Sequence, residues 1–224
     1  MFDSVPREYA LSNRILTFGQ DNRWRNRVLE AINPLPNAAI LDICTGPADL
    51  ALKIAASFAG SRVYACDFSP RMLEHAGERA GVRRLHIRFV QTDCGLMGFR
   101  SASFDCVTVS FGFRNLSFAQ ENLTHALGEI LRVLKNRGRF IIIETSQPQN
   151  PLVKRLFHLY AAKVVPWLGR LISGKKEPYS YLGASITKFF SLPELIARLE
   201  SGGFKFVSAA PFLFGAISLS VFEK

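Results

Sequence analysis

From about residue 38 onward, short apolar runs alternate with amphipathic stretches of helical periodicity, and nothing else in the sequence constrains the fold as strongly. The runs at residues 39–43, 62–66, 85–90, 106–111 and 140–143 are rich in Val, Ile and Phe. Strands that are apolar on both faces belong in a parallel sheet covered by helices. The intervening helices are marked by Leu50-Ala51-Ile54-Ala55, by Met72-Leu73-Ala76 after a Ser69-Pro70 start, and by Leu123-Ala126-Leu127-Ile130-Leu131-Leu134 at 3/4 spacing. After the fifth strand the order breaks. Residues 150–187 read as helical and basic, and residues 192–199 as a helix ending at Gly202-Gly203. Residues 204–208 and 214–222 read as an antiparallel edge hairpin turning around Pro211. Seven strands are expected, preceded by an N-terminal helical arm over residues 1–36. The 224 residues contain no internal repeat and fit a single domain, 1–224.

Composition narrows the class. Hydrophobic residues at 48% and charged residues at 21% exclude a disordered or collagen-like chain. No apolar run reaches the ~18 to 20 residues of a membrane span, and Met1-Phe2-Asp3-Ser4 lacks a basic-then-apolar leader, so a soluble cytoplasmic protein is expected. Cys44, Cys66, Cys94 and Cys106 stand singly, without a CxxC pattern, and are expected to be reduced. None of the four histidines has a metal-ligand spacing, so no metal is expected. The net charge of +10 is concentrated. Between residues 150 and 190, seven cations (Lys154, Arg155, Lys163, Arg170, Lys175, Lys176, Lys188) face Glu177 alone, placing +6 of the total in this stretch. Such a stretch points to nucleic acid or to an anionic membrane surface.

Ligands of open α/β sheets bind at the carboxyl ends of the strands. The first strand runs out through Asp42-Ile43-Cys44-Thr45-Gly46-Pro47-Ala48-Asp49, where Gly46 permits a tight turn and the next helix points amides at an anion. A G-x-G-x-x-G fingerprint is absent, which argues against a pyrophosphate-bearing dinucleotide. The second strand ends at Asp67-Phe68, 25 residues after Asp42, where a carboxylate accepts ribose hydroxyls. Asp93-Cys94 follows the third strand, placed for an adenine amino group, and Ser110 ends the fourth. Singly, each reads as well as a turn glycine, a helix-capping Asp or a loop Asp. Together, acidic residues after three consecutive strands suit S-adenosyl-L-methionine, which has no phosphate to neutralise and whose ammonium and ribose favour carboxylates.

Further motifs span almost the whole chain: Phe2-Asp3-Ser4-Val5 with Tyr9, Asn13, Leu16, Thr17-Phe18-Gly19 and Trp24; Ser110-Phe111-Gly112-Phe113-Arg114-Asn115; Arg132-Val133-Leu134-Lys135 through Gly138-Arg139; and Tyr179-Ser180-Tyr181-Leu182-Gly183-Ala184-Ser185-Ile186. In these the chain resembles the ubiquinone/menaquinone biosynthesis C-methyltransferases. The resemblance implies an α/β, Rossmann-like class I methyltransferase, with a seven-stranded, mostly parallel sheet and an antiparallel C-terminal strand; the basic and apolar character of residues 150–190 adds the expectation of a helical substrate lid there. It implies S-adenosyl-L-methionine as cofactor, held by Asp42, Thr45, Gly46, Pro47, Asp49, Asp67, Phe68, Asp93, Cys94 and Ser110. It also implies a polyprenyl quinol as substrate. Where the family has Gly-Gly-Thr-Gly-Asp, this chain has Thr45-Gly46-Pro47-Ala48-Asp49, which leaves fewer backbone donors in the turn. The family's Tyr-Asp pair is Tyr9-Ala10 here, and its His before the Trp is Asp21.

By the same resemblance Arg114 and Asn115 lie beside the reacting centre. There a guanidinium stabilises a developing phenolate and orients a water that removes the proton, because Arg cannot itself act as a simple base. Tyr9 and Asn13, four apart on one helical face, are candidates to reach a quinol oxygen. The run Leu152, Leu156, Phe157, Leu159, Tyr160, Val164, Val165, Trp167, Leu168, interleaved with cations, reads as core or as a basic, apolar face for a lipid surface. A peripheral membrane location follows from the second reading. RNA is the other candidate substrate, disfavoured because no RNA-binding module is present. A non-catalytic protein that keeps the fold is a third reading, and a homodimer is left open.

Overall fold

The computed structural model describes residues 17, 19–32, 37–117, 120–173 and 177–224. Tyr9, Asn13, Lys175, Lys176 and most of the expected N-terminal arm lie outside the described residues.

Helix α1 (Asp21–Ile32) opens the described chain, followed by β1 (Ala39–Ile43), α2 (Asp49–Ser57), β2 (Arg62–Asp67), α3 (Pro70–Val82), β3 (Ile87–Gln91), β4 (Phe104–Ser110), a short α4 (Phe113–Leu116), α5 (Gln120–Val133) and β5 (Leu134–Thr145). Then come α6 (Pro151–Leu159), a π-helical turn (Tyr160–Val164), α7 (Val165–Ser173), α8 (Glu177–Lys188), α9 (Leu192–Ser201), β6 (Lys205–Phe212) and β7 (Ile217–Glu223). The seven strands form one sheet in the order β3-β2-β1-β4-β5-β7-β6. Strands β1 to β5 pair in parallel, and β7 inserts antiparallel between β5 and β6.

Alternation along β1 sets the layers. Leu41 and Ile43 join a core with Val107, Val109, Phe140 and Ile142, covered by Leu123, Leu127 and Ile130 of α5 and Leu195 and Leu199 of α9. Ile40 faces the other way, into a core with Trp24, Val28 and Ile32 of α1, Leu50 and Ile54 of α2, and Ala76 and Ala80 of α3. Helix starts follow capping chemistry. Ser69 accepts from the Met72 amide ahead of Pro70, Asn150 accepts from the Leu152 and Val153 amides ahead of Pro151, and Ser191 forms a capping box with Glu194.

Two sequence expectations change. The final hairpin turns at Leu213–Gly215, not around Pro211, which lies inside β6 opposite Ser218. Strand β6 is the sheet edge, where the missing proline N–H costs no ladder bond. Strand β5 begins at Leu134, directly after α5, because pairing with β4 slips between Phe104 and Cys106 and absorbs the polar residues 135–138 in the irregularity.

The expected helical region after β5 is three helices. Gly183 of α8 packs onto the π-helical turn so closely that a Cβ would lie 2.2 Å from the Ala161 carbonyl oxygen, so only glycine fits. Leu152, Leu156, Leu159, Trp167 and Leu171 are exposed beside Lys154, Arg155, Lys163 and Arg170, whereas Val165 is buried. The apolar run is therefore divided between core and surface. Among the described residues, no helix is long and apolar enough to cross a membrane.

Candidate active site

At the carboxyl ends of β1 to β4 lies a cavity of about 510 Å³. Of the residues expected around a cofactor, Asp42, Thr45, Gly46, Pro47, Asp49, Asp67, Phe68, Asp93, Cys94 and Ser110 all line it, and so does Asn115.

The β1 turn is held almost wholly by the protein itself. Asp42 is buried, and both of its oxygens are engaged: the Thr45 hydroxyl donates to it at 2.6 Å and the hydroxyl of Thr108, its neighbour across the β1–β4 pair, at 2.7 Å. Burial pushes this carboxyl up to about 6. The Gly46 amide donates to Asp67 at 2.8 Å and the Ser69 amide at 3.0 Å, one on each carboxylate oxygen. Burial nevertheless raises the Asp67 carboxyl above its ordinary value. Gly46 has φ +54° and Ala48 φ +60°, the left-handed region. Arg79 reaches across from α3, donating to the Pro47 carbonyl and pairing with Asp49 at 2.7 Å. The turn thus survives without the family's other glycines because an arginine fastens it.

At the third strand end, Asp93 accepts from the Gly95 amide at 2.7 Å and is itself exposed. Phe68 and Leu96, 76% and 80% exposed, stand among the lining residues as apolar surfaces beside Asp67 and Asp93. Arg25, which the sequence reading missed, enters from α1. Its Nε donates to the Ser110 hydroxyl at 3.2 Å, its guanidinium pairs with Asp21 at 2.5 Å and Asp49 at 3.5 Å, and it lies 5.8 Å from the centre of the Phe111 ring. The Asp21/Arg25 i,i+4 spacing was visible in the sequence. Its destination was not, because that depends on how α1 docks. Asn122 and His125 of α5 were missed for the same reason. Among the described lining residues, four carboxylates (Asp42, Asp49, Asp67, Asp93) face one guanidinium.

Arg114 takes a different position from its neighbour. It is buried and does not line the cavity: it pairs with the wholly buried Glu144 at 2.6 Å, and its Nε donates to Ser185 of α8 at 3.2 Å. Glu144 also accepts from the Arg114 and Thr145 amides. The pair ties α4, which follows β4, to β5 and to α8, one residue from Asn115.

Solved structures share this architecture. A SAM-dependent methyltransferase from Aquifex aeolicus superposes with a TM-score of 0.63 at 17% identity, covering 89% of this chain and 88% of that one. The fold is that of the Rossmann-like methyltransferases, with a carboxylate-rich cavity at the strand ends. Over residues 1–224 the sequence matches the ubiE/COQ5 methyltransferase family, and the chain belongs to that family. It is 36% identical to the demethylmenaquinone methyltransferase of Thermus thermophilus, covering 100% of both chains. To the ubiquinone/menaquinone biosynthesis C-methyltransferase UbiE of Geotalea daltonii it is 37% identical, covering 92% of this chain and 86% of that one.

Proposed function

We propose that this chain transfers the methyl group of S-adenosyl-L-methionine to a ring carbon of a polyprenyl quinol, a demethylmenaquinol in the first instance, at the surface of an anionic membrane. The observation that carries the reading is the cavity's charge: beyond Asp49, which Arg25 and Arg79 pair, the lining presents Asp42, Asp67 and Asp93, an acidic set that suits a sulfonium-bearing nucleoside and would repel a polyphosphate. Family membership supplies the reaction class, and the relatives' names supply the quinone.

The residues present fit this cofactor. Each oxygen of Asp67 accepts one backbone amide and keeps a lone pair for a ribose hydroxyl, so its turn-holding and ligand-holding roles coexist. Asp93 is placed for the adenine amino group, Phe68 and Leu96 for its faces, and Arg25 with Ser110 for the methionyl carboxylate. When bound, the cofactor supplies an electrophilic methyl group. The acceptor ring must then be made electron-rich by loss of a hydroquinone proton and aligned in line with that methyl, so positioning contributes much of the rate. Asn115 faces the cavity for this purpose. Arg114, buried behind it and paired with Glu144, is a positioning residue that fixes the short helix carrying Asn115 against the cavity, and a water carries the proton away. By the family resemblance Tyr9 and Asn13, which lie outside the described residues, remain candidates to reach a quinol oxygen. Residues 150–190 form the substrate lid, whose exposed leucines and Trp167 dock in the lipid interface while its cations meet anionic headgroups.

Isothermal calorimetry with S-adenosyl-L-methionine, followed by product mass spectrometry on demethylmenaquinol and a polyprenyl benzoquinol, tests the reading. Saturable binding and a naphthoquinol product heavier by one methylene are expected. Binding without methylation of either quinol would refute the substrate, and absence of binding would refute the site.

A further inference from the structure

We propose that Cys44 and Cys94 form an oxidisable dithiol whose disulfide closes the cofactor cavity, which makes cofactor binding sensitive to hydroperoxides. The inference rests on the cavity being the cofactor site.

Three cysteines that stand far apart in the sequence meet at the carboxyl ends of three adjacent strands. Cys44 follows β1, Cys66 lies in β2 and Cys94 follows β3. The sulfurs of Cys44 and Cys94 are 3.7 Å apart, and both residues line the cavity, whereas Cys66 does not. A small oxidant entering the cavity therefore meets this pair. The seat of Cys44 is specific. Its backbone is left-handed at φ +49°, and a Cβ on residue 112 would lie 2.5 Å from the Cys44 Cβ, so Gly112 leaves the room it occupies. Among the described residues no three His, Cys, Asp or Glu side chains are grouped to hold a metal ion, so a metal site does not explain the cluster.

The two thiols are unequal. Hydrogen bonds from Cys44 and Cys66 draw the Cys94 thiol down from its ordinary value, while Cys44 is pushed up. The balance is the same whichever sulfur attacks, and the route with Cys94 attacking and Cys44 resolving runs through the following bonds. The Cys94 thiolate attacks a peroxide oxygen, the O–O bond breaks, and hydroxide leaves to take up a proton, giving a sulfenic acid. The Cys44 sulfur then displaces water from that sulfenic sulfur. Two thiols and one hydrogen peroxide thus give one disulfide and two waters. The sulfurs must come about 1.7 Å closer than they stand. Cys44 immediately precedes Thr45-Gly46 and Cys94 immediately follows Asp93, so closure pulls the β1 turn and the Asp93 loop together across the space between them.

The reduced full-length protein is treated with hydrogen peroxide, blocked, and mapped by non-reducing peptide mass spectrometry, with S-adenosyl-L-methionine titrated before and after. Expected are a linked Cys44–Cys94 peptide, a mass loss of two hydrogens, and cofactor binding weakened roughly tenfold or more and restored by dithiothreitol. Prior saturation with S-adenosylhomocysteine should slow the crosslink. Cys44→Ser should abolish the bridge and Cys106→Ala should keep it, and mapping of the unmutated chain decides the matter if a variant folds poorly. A sulfinic acid on Cys94 without a linked peptide, a Cys66–Cys94 bridge, or a Cys44–Cys94 bridge that leaves cofactor affinity unchanged would overturn the proposal. A reduced protein that binds no cofactor refutes the site reading instead, and the linked peptide then reports on the dithiol alone.

Discussion

Asp42→Asn isolates the energetic cost of a carboxylate buried at the floor of the cavity. Asp42 is 1% exposed, and its carboxyl moves from 3.8 to about 6 because burial outweighs the two hydroxyls that donate to it. A shift of that size corresponds to on the order of 3 kcal/mol between the two protonation states. The folded-state value is the raised one, so this group's favourable contribution is full below about pH 4 and is lost as pH rises through about 6. Asparagine has nearly the same shape, keeps an acceptor for one threonine hydroxyl and cannot ionise. Relative to the unsubstituted protein, the variant should therefore gain stability as pH rises, by on the order of 3 kcal/mol across the window from about pH 4 to pH 7, with a plateau on either side. Urea unfolding of both proteins at closely spaced pH values measures the difference directly, and unrelated titrations largely cancel in the subtraction. A stability difference that is flat across this window would refute the argument that Asp42 is ionised at a cost in the folded protein.

Arg114→Ala should lower turnover on the order of 100-fold while sparing cofactor affinity. It should also cost roughly 3 kcal/mol of stability, because Glu144 is left buried without its partner; adding Glu144→Gln should recover stability but not turnover, as paired kinetics and urea unfolding would show. Asp67→Ala should weaken S-adenosyl-L-methionine binding by roughly 2 kcal/mol or more in calorimetry, and unchanged affinity would contradict the assignment. Charge reversal at Lys154 and Arg155 should reduce flotation with anionic vesicles and slow turnover of long-chain quinols while sparing short-chain analogues; salt-insensitive binding to neutral vesicles would point to another role for this face.

The central strands were legible because nothing competes with their pattern. Strand β1 occupies the residues its run marks, since a strand covered on both faces is apolar at almost every position, Asp42 being the exception at the end that meets the cavity. Where an element depends on its neighbours, the sequence was a poorer guide. Residues 135–138 lie before the apolar run at 140–143 that marks the fifth strand, yet pairing with β4 carries them into β5 as an irregularity. Pro211 reads as a breaker, yet β6 is an edge strand and tolerates it. The same division holds in the site. Asp42, Asp67 and Asp93 could be placed together because topology alone brings the carboxyl ends of adjacent parallel strands to one cavity. Arg25, Asn122 and His125 arrive on helices whose docking no periodicity encodes. Arg79 was equally hidden, although it is the residue that explains how the β1 turn persists.

That turn also bears on what the cavity is built to hold. Compared with the family's Gly-Gly-Thr-Gly-Asp, the sequence here suggests a loop stripped of donors. The hydrogen bonds show that the donors it keeps are used within the protein. The Thr45 amide bonds to the Cys66 carbonyl at 3.0 Å, the Gly46 amide to Asp67 at 2.8 Å and the Ala48 amide to the Thr45 carbonyl at 2.9 Å, while Pro47 has no amide hydrogen to satisfy. A loop that cradles phosphate must aim free amides at its ligand. These amides point back into the sheet ends, so having Thr45 and Ala48 in place of glycines and Pro47 in place of the threonine removes little backbone that a ligand would have used. What it costs is backbone strain, since Ala48 is left-handed, and the Arg79 contacts to Pro47 and Asp49 offset that strain from outside the turn. Recognition then falls to the carboxylates around the turn, not to its backbone. That division favours a cationic nucleoside whose ribose and amino groups donate hydrogen bonds, and it allows the turn sequence to drift as long as Asp67 and Arg79 stay in place.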